Sequence, residues 1–561
     1  MVAFIKLFVS SLLLASSAYA GPVRSVESAL VFPPVINKGL LCKIPILRAI
    51  LCPRDSTQTV SVSTPLGSAT GVMDTTTAAR YSVKYGSASR WKSSSVVTTW
   101  ALPNGNTDPS STPLGCPQSD ADASSYSEDC LSMILYVPTS ALTTKNLPVM
   151  MWIHGGSFVA GSATNQGLDG SQLAAATNSI VAVVQYRLGA LGFMAPSGAT
   201  NLAVGDVITS LKFLQKIVPS FGGSASKITL AGQSSGANMI RALLAVPSAS
   251  SLFTQAIIQS DPMDYGFLST TTQSEMQSYF NGLLPCAASN TTCLNALSLD
   301  TILDAQGNLM DDASSIGDGS AGIAEPIRPV RDGSLITSPL DSTAAFPSQS
   351  KNILISTVLN EAAFTIYGNF QDPVPEDEFD LVLSGTFDET QTNDIIDSQK
   401  YAVPAGVAQS TVDARTQLET LGTDYIWKCS SWTFARNWVS AGGKAFVGLY
   451  NVGASYPGNS DVSFCTEPGV VCHQDDIEIV FGTVPSPTSA QSALIKEMQA
   501  RYKAFLNNGN PNVSGYETWT AAGTSDVHAK NLGATGEAEV GNCDPSYWGE
   551  AVQYDYQVFG I

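Results

Sequence analysis

The chain is predicted to fold as an α/β protein with a large, mainly parallel central sheet flanked by helices. Three observations predict it. Apolar runs of strand length alternate with segments of helical periodicity over most of the 561 residues. The apolar runs are nearly continuous, as in strands covered on both faces. One of them, Lys227-Ile-Thr-Leu-Ala-Gly232, passes through Gln233-Ser234-Ser235-Gly236 into a helical pattern at Ala237 to Val246, which is a strand–tight turn–helix junction.

Taken in order, Met1 to Ala20 reads as a signal peptide. Lys6 supplies the basic start, Leu7 to Ala15 the short apolar core and Ala18-Tyr19-Ala20 a small-x-small cleavage site. Residues 21–57 form an N-terminal extension without sustained periodicity, either a propeptide or an arm. From residue 58 the alternation begins. Pro148 to Ile153 and Ser179 to Tyr186 are expected as buried strands. Val204, Val207, Ile208, Leu211, Leu214, Ile217 and Val218 recur at helical spacing. The strand at Ile228, its helix and the strand Ala256 to Gln259 follow. Later strands are expected at Asn352 to Leu359 and Ala445 to Asn451, and a helix at Gln491 to Leu506. Gly307 to Gly322 and Asp372 to Asp397 read as irregular surface insertions above the sheet.

Composition limits the function classes. Hydrophobic residues make up 44% and charged residues only 13%, with a formal net charge of −19. An acidic chain of this kind repels phosphate backbones, so nucleic acid is not expected as a partner. No run after the signal peptide is long enough to span a bilayer, so no integral membrane segment is expected. The ten cysteines are even in number, and disulfides are expected in a secreted chain. Close pairs are Cys42/Cys52, Cys116/Cys130, Cys286/Cys293 and Cys465/Cys472. Cys429 and Cys543 are left over and are free to join distant segments. No Cys-x-x-Cys spacing occurs and there are only three histidines, so a metal is not expected, and the acyl-enzyme chemistry expected below needs no cofactor. Asn290 and Asn512 head glycosylation sequons. Oligomeric state has no signal in the sequence.

The turn around Ser234 is the chemically loaded feature. Gly232 and Gly236 allow the chain to turn without a Cβ clash, so Ser234 is expected to sit exposed on a strained corner with a helix N-terminus behind it. A serine hydroxyl needs a base, usually histidine. His154 opens His154-Gly155-Gly156-Ser157-Phe158 after an apolar strand, a pattern suited to backbone N–H groups facing an oxyanion. His528 lies in a polar stretch with nothing nearby to position it and reads as a surface histidine. That leaves His473, in Cys472-His473-Gln474-Asp475-Asp476. Glu361, at the end of the strand Asn352 to Leu359, is the carboxylate expected to orient it, giving the chain order Ser, Glu, His. These pieces span residues 154–473, so residues 58–561 are expected to form one catalytic domain.

With those residues in place, the chain resembles the type-B carboxylesterase/lipase family, which includes cholinesterases and fungal lipases. The likeness runs from about Thr64 to Trp519. It rests on Glu128-Asp129-Cys130-Leu131, Trp152-Ile-His-Gly-Gly-Ser-Phe158, Tyr186-Arg187-Leu-Gly-Ala-Leu-Gly192-Phe193, Phe221-Gly222-Gly223, the Ser234 turn, Gln259-Ser260, Asn360-Glu361 and His473-Gln-Asp-Asp476-Ile477. The resemblance implies an α/β-hydrolase fold with Ser234 as nucleophile, His473 as base and Glu361 as acid. It implies oxyanion donors at the backbone of Gly156, Ser157 and Ser235, and disulfides Cys116–Cys130 and Cys286–Cys293.

Four residues at three places depart from the family pattern. Gln233-Ser234-Ser235 replaces Glu-Ser-Ala, removing a charge beside the histidine. Ser157 stands for a third glycine, and Asp261 for the glycine after Gln-Ser.

The expected function is that of a secreted serine carboxylesterase acting on small-molecule esters through an acyl-enzyme. The alternatives are a true lipase for long-chain acylglycerols or sterol esters and, in another class, a non-catalytic cholinesterase-like binding protein. In this family the loop between the first matched cysteine pair commonly forms the lid of lipases. Here Pro117 to Asp129 is thirteen residues long, polar and acidic, with no apolar face to sense an interface. The expectation is therefore an open-mouthed esterase, unless one of the two insertions supplies a lid.

Overall fold

The computed structural model describes residues 58–548 except 120, 318, 323–324, 338–339, 341–344, 388 and 404–411. The expected signal peptide, the extension and Cys42/Cys52 lie outside the described residues. Among the described residues thirteen strands follow one another. They are β1 (Thr59–Thr64), β2 (Gly67–Met73), β3 (Ala78–Lys84), β4 (Gly86–Ser87), β5 (Ser95–Val96), β6 (Ser132–Pro138), β7 (Leu147–Ile153), β8 (Ile180–Val184), β9 (Gly223–Gln233), β10 (Gln255–Gln259), β11 (Asn352–Val358), β12 (Lys444–Tyr450) and β13 (Lys530–Leu532). Eleven form one sheet in the order β1-β2-β3-β6-β8-β7-β9-β10-β11-β12-β13, and β4 pairs only with β5. From β1 to β8 the neighbours are antiparallel. From β8 to β13 they are parallel.

The two faces of the sheet can be read along single strands. Val149, Met151 and Ile153 of β7 join one core cluster, while Met150 and Trp152 join the other. This is the period-two alternation of a pleated strand, here apolar on both sides. The first cluster packs the helices Leu202–Ile217 and Ser235–Leu244 against the sheet. The second packs Ser171–Thr177 and Ser489–Asn508, the latter opened by a capping box from Thr488 and Gln491.

The chain leaves β7 for β8 on one side and then crosses to β9 on the other side of β7. Strand order therefore reverses at β7/β9. In parallel sheets a crevice opens beyond the carboxyl ends of such a pair. The segments leaving those two ends are His154–Gly161 and Ser234.

The expected elements occur with small boundary shifts, and two expectations are corrected. Gly307 does not begin an irregular insertion. It lies within the helix Leu299–Asp312, capped by Ser298 and buried through Ile302, Ala305 and Leu309. Those residues keep helical spacing, and Gly307 sits on the outer side, where a Cβ would meet nothing. Asp372 to Asp397 likewise contains the helices Phe379–Thr386 and Glu389–Asp397, which bury Phe379, Leu383, Thr392 and Ile395. In the first, Phe379, Leu381, Val382 and Leu383 crowd into a run too short to show a helical period, and the second is mostly polar.

Candidate active site

The turn after β9 is tighter than its motif alone implies. Neither Gly232 nor Gly236 has a positive φ; their role is close approach. A Cβ on Gly236 would lie 2.2 Å from the Ile153 carbonyl oxygen, and one on Gly232 would lie 2.8 Å from the carbonyl oxygens of Gly236 and Ile153. The backbone strain falls on Ser234 itself, with φ 57° and ψ −131°. A left-handed φ at a non-glycine residue costs on the order of 1–3 kcal/mol, and the surrounding structure holds it there. The Ser234 N–H bonds the Gln259 carbonyl at 3.0 Å, and the helix Ser235–Leu244 starts at the next residue. Ser234 keeps only 8% exposure. The expectation of an exposed serine is therefore corrected: the corner faces a cavity lined by Ser157, Pro262, Glu325, Glu361, Phe364, Thr365, Trp427 and His473. Among the described residues, none between Cys116 and Cys130 belongs to this lining.

Glu361 arrives from the end of a later strand and His473 from the long loop that follows β12. Glu361 follows β11 and is fixed by the Val358 N–H, which bonds its Oε1 at 2.9 Å. Its Oε2 lies 2.5 Å from His473 Nδ1. The two loops are joined beside that contact, where the Asn360 N–H donates to the Val471 carbonyl at 2.9 Å and the Val471 N–H to Asn360 Oδ1 at 3.2 Å. The disulfide Cys465–Cys472 ends immediately before His473. Asn459 Nδ2 bonds the His473 carbonyl at 2.8 Å. Asp475 accepts from the Tyr456 N–H, the Cys472 N–H and Asn459 Nδ2, each at 2.8 Å. Asp476 accepts from Gln259 Nε2. Neither aspartate bonds the imidazole; Glu361 does.

Burial pushes the His473 pKa down, but the charge and hydrogen bond of Glu361, followed by Asp476 and Glu325, more than offset it and leave it raised. Burial lifts Asp475 to about 7 and Asp476 to about 6. The other ring nitrogen of His473, Nε2, lies 3.0 Å from Gln233 Nε2. With Nδ1–H donated to Glu361, Nε2 accepts from the Gln233 amide. The residue that replaces the family's glutamate thus touches the imidazole directly.

The segment after β7 is a run of left-handed residues, with φ 115° at Gly156, 51° at Ser157, 61° at Phe158 and 107° at Gly161. A Cβ on Gly155 would lie 3.0 Å from the Ser234 Cβ, so this loop lies against the serine. The Gly156 carbonyl accepts from the N–H groups of Val159 and Ala160, which closes the turn. Ser157 takes a left-handed φ without being glycine, and its hydroxyl bonds the Glu325 carboxyl. His154 stacks on Tyr186, with centroids 4.8 Å apart, and burial lowers its pKa to about 4, so it is a neutral structural residue of the loop.

Asp261, the third departure, is buried and pairs with Arg241 of the helix after Ser234, Nε to Oδ2 at 3.0 Å. His528 does have partners, contrary to expectation. Its Nδ1 lies 3.2 Å from Glu537, nine residues on, and it is partly exposed on a polar surface.

Disulfides join Cys116–Cys130 and Cys286–Cys293, together with Cys465–Cys472 and the distant pair Cys429–Cys543. Asp424 lies near the last pair, but sulfurs joined to each other offer no thiolate to a metal. Of the sequon asparagines, Asn290 is exposed, while the Asn512 amide is engaged on the Trp519 carbonyl and the Asn510 side chain. Two cavity residues, Glu325 and Trp427, carried no signal in the sequence. Trp427 sits in a π-helical turn, Thr423–Lys428, and packs its ring 5.5 Å from that of His473.

The chain belongs to the carboxylesterase family, whose model matches residues 58–543. Among its relatives, the cAMP-regulated D2 protein of Dictyostelium discoideum is 31% identical over 309 residues, 54% of this chain and 55% of that protein. A medium-chain fatty acyl-CoA hydrolase precursor of Anas platyrhynchos is 26% identical over 418 residues, 70% of each. The para-nitrobenzyl esterase of Bacillus subtilis is 41% identical over 157 residues, 26% of this chain and 32% of that enzyme. The match to the first of these thus spans about half of that protein's length, and to the last about a third. A solved PNB esterase structure superposes with a TM-score of 0.67 at 22% identity, covering 84% of this chain and 95% of that one, which shows the same fold. No helix among the described residues is long and apolar enough to cross a membrane.

Proposed function

We propose that this protein is a secreted carboxylesterase that hydrolyses small-molecule carboxylic esters through an acyl-enzyme on Ser234. The observation that carries the reading is the 2.5 Å contact between Glu361 and His473 beside a strained Ser234 in one cavity. In this reading the Ser234 hydroxyl oxygen attacks the ester carbonyl carbon as its proton passes to His473 Nε2, which requires the Gln233 amide to give way. Glu361 holds the Nδ1 proton and stabilises the imidazolium. The backbone N–H groups of Gly156, Ser157 and Ser235 receive the oxyanion, each worth about 10²–10³ in turnover. When the tetrahedral intermediate collapses, the bond to the alcohol oxygen breaks and His473 returns its proton to that oxygen. Water repeats the cycle on the acyl-enzyme, releasing the acid and regenerating the Ser234 hydroxyl.

Residues 58 onward act as one domain in this reading, because Ser234 and Glu361 follow strands of a single sheet and the loop carrying His473 is bonded to Glu361 and Asn360 beside them. Esterase is favoured over lipase because the Cys116–Cys130 loop lies outside the cavity lining. The four disulfides support an oxidising compartment. The exposed Asn290 is the better placed glycan acceptor, since sugar on Asn512 would cost its bond to Trp519.

The test is labelling with a fluorophosphonate together with the Ser234→Ala variant. The folded variant is expected to lose about 10⁴-fold or more of turnover, and the label is expected on Ser234. A folded Ser234→Ala protein of near-normal activity would overturn the mechanism.

A further inference from the structure

Glu325 is a buried carboxylate-type side chain in the cavity wall with no role in the mechanism above. It is 3% exposed and lines the cavity with Ser234 and His473. One of its oxygens takes the Ser157 hydroxyl, while Oε2 is fully buried and has no partner among the described residues. Leaving such an oxygen unpaired costs about 1–3 kcal/mol, and this one belongs to a residue of the cavity wall.

The backbone is strained at the same place. Glu325 has φ 49° and its partner Ser157 φ 51°, both left-handed and both non-glycine. Arg328 braces the segment by donating to the carbonyls of Gly266, Ala321 and Glu325 at 2.7, 2.7 and 3.1 Å. A second polar atom without a described partner belongs to another lining residue, the indole N–H of Trp427. The remaining wall is largely apolar, from Pro262 and Phe364.

We propose that Glu325 is a specificity-determining residue whose Oε2 receives a hydroxyl of the substrate, so that the enzyme selects hydroxyl-bearing esters over their methyl isosteres. This rests on the esterase reading above. A plain alkyl ester leaves Oε2 unpaired, whereas a hydroxyl brought against it satisfies it. Sites built to pair a substrate hydroxyl discriminate strongly against the analogue that lacks it, because the protein's own polar group is then left unpaired.

The charge environment suits a neutral ligand. Burial lifts the Glu325 pKa to about 7 against the hydrogen bond from Ser157; Arg328 lowers it, Asp261 raises it and His473 lowers it. Asp261 is itself paired to Arg241. In mildly acidic solution the group is a carboxylic acid that both donates and accepts.

The experiment compares kcat/KM for two isosteric pairs, p-nitrophenyl 3-hydroxybutyrate against p-nitrophenyl 3-methylbutyrate, and 2-hydroxyethyl butyrate against propyl butyrate. The first pair carries the hydroxyl on the acyl side and the second on the alcohol side. Wild type, Glu325→Gln and Glu325→Leu are measured, with fluorophosphonate labelling of Ser234 run on each. In at least one pair the wild type is expected to favour the hydroxyl ester by about 10-fold or more. Glu325→Gln, which keeps a hydrogen-bonding head, is expected to stay within about 3-fold of that ratio, and Glu325→Leu to bring it to about 1. Any loss through Ser157 lowers both members of a pair and cancels in the ratio. Wild-type ratios near 1 in both pairs, or a preference that survives in Glu325→Leu, overturn the proposal while Ser234 labelling and ester turnover leave the esterase reading standing. Absence of labelling and of turnover on every ester in wild type overturns both.

Discussion

The turn carrying Ser234 and the loop carrying His473 deliver neighbouring side chains by opposite means. The Ser234 turn is local. Five consecutive residues, two of them glycines where a Cβ would lie 2.2–2.8 Å from neighbouring carbonyl oxygens, fix it between β9 and its helix. The His473 loop is assembled from distant parts of the chain. Asn360 and Glu361, Asn459 with Asp475, and the Cys465–Cys472 disulfide each hold it from a different direction. The first device stores strain at one residue. The second spreads its support over several hydrogen bonds, so damage to it should be graded.

That difference is tested most severely at the contact between the two later loops. Glu361→Gln keeps the volume and one acceptor but removes the charge that stabilises the imidazolium, and a wrong tautomer becomes possible. Turnover is expected to fall by about 10³–10⁴-fold with little change in folding. A near wild-type rate in Glu361→Gln, with a crippled Asp476 variant, would assign the orienting role to the wrong carboxylate.

A smaller loss is expected from the support of the loop. Asp475→Ala leaves three buried donors without their acceptor, and each such group costs about 1–3 kcal/mol if no water replaces it. The expected outcome is a fall in Tm of several degrees and a loss of turnover on the order of 10-fold, with the KM for a simple ester little changed. The measurement is thermal denaturation beside steady-state kinetics. A large kinetic loss at unchanged Tm would mean that Asp475 acts on the chemistry and not on the loop.

The same contrast explains what could be read in advance. The Ser234 turn was legible because its determinants are contiguous. Glu361 and His473 were legible through chain order and through short motifs, one at the end of β11 and one after the Cys465–Cys472 pair. Glu325 and Trp427 were not, because a glutamate in a proline-containing loop and a tryptophan in a helical segment look like many others until the fold brings them to the cavity. The parallel sheet could be read from continuous apolar strands, whereas the helix Leu299–Asp312 was obscured by Gly307, whose outward position only the packing shows. Cys429 and Cys543 are separated by 114 residues, and no spacing rule joins them.

The mildest change bears on the one place where the two devices meet, the Gln233 amide on His473 Nε2. Catalysis needs the neutral imidazole, so activity rises with pH as His473 loses its proton. In the present protein Glu361 raises that pKa, while the Gln233 amide, donating to Nε2, favours the neutral ring and opposes the rise. Gln233→Glu removes a donor from Nε2 and puts a carboxylate in its place. Both changes favour the imidazolium, so the acidic limb of kcat/KM is expected to move to higher pH by about one unit. The rate on the alkaline plateau should change little. Gln233→Ala removes only the donor and should move the limb the same way by less. Profiles taken at fixed ionic strength separate these outcomes. An unmoved limb in Gln233→Glu would mean that the new carboxyl stays protonated beside Glu325 and Glu361, and that the charge missing from this turn does not set the working pH of the base.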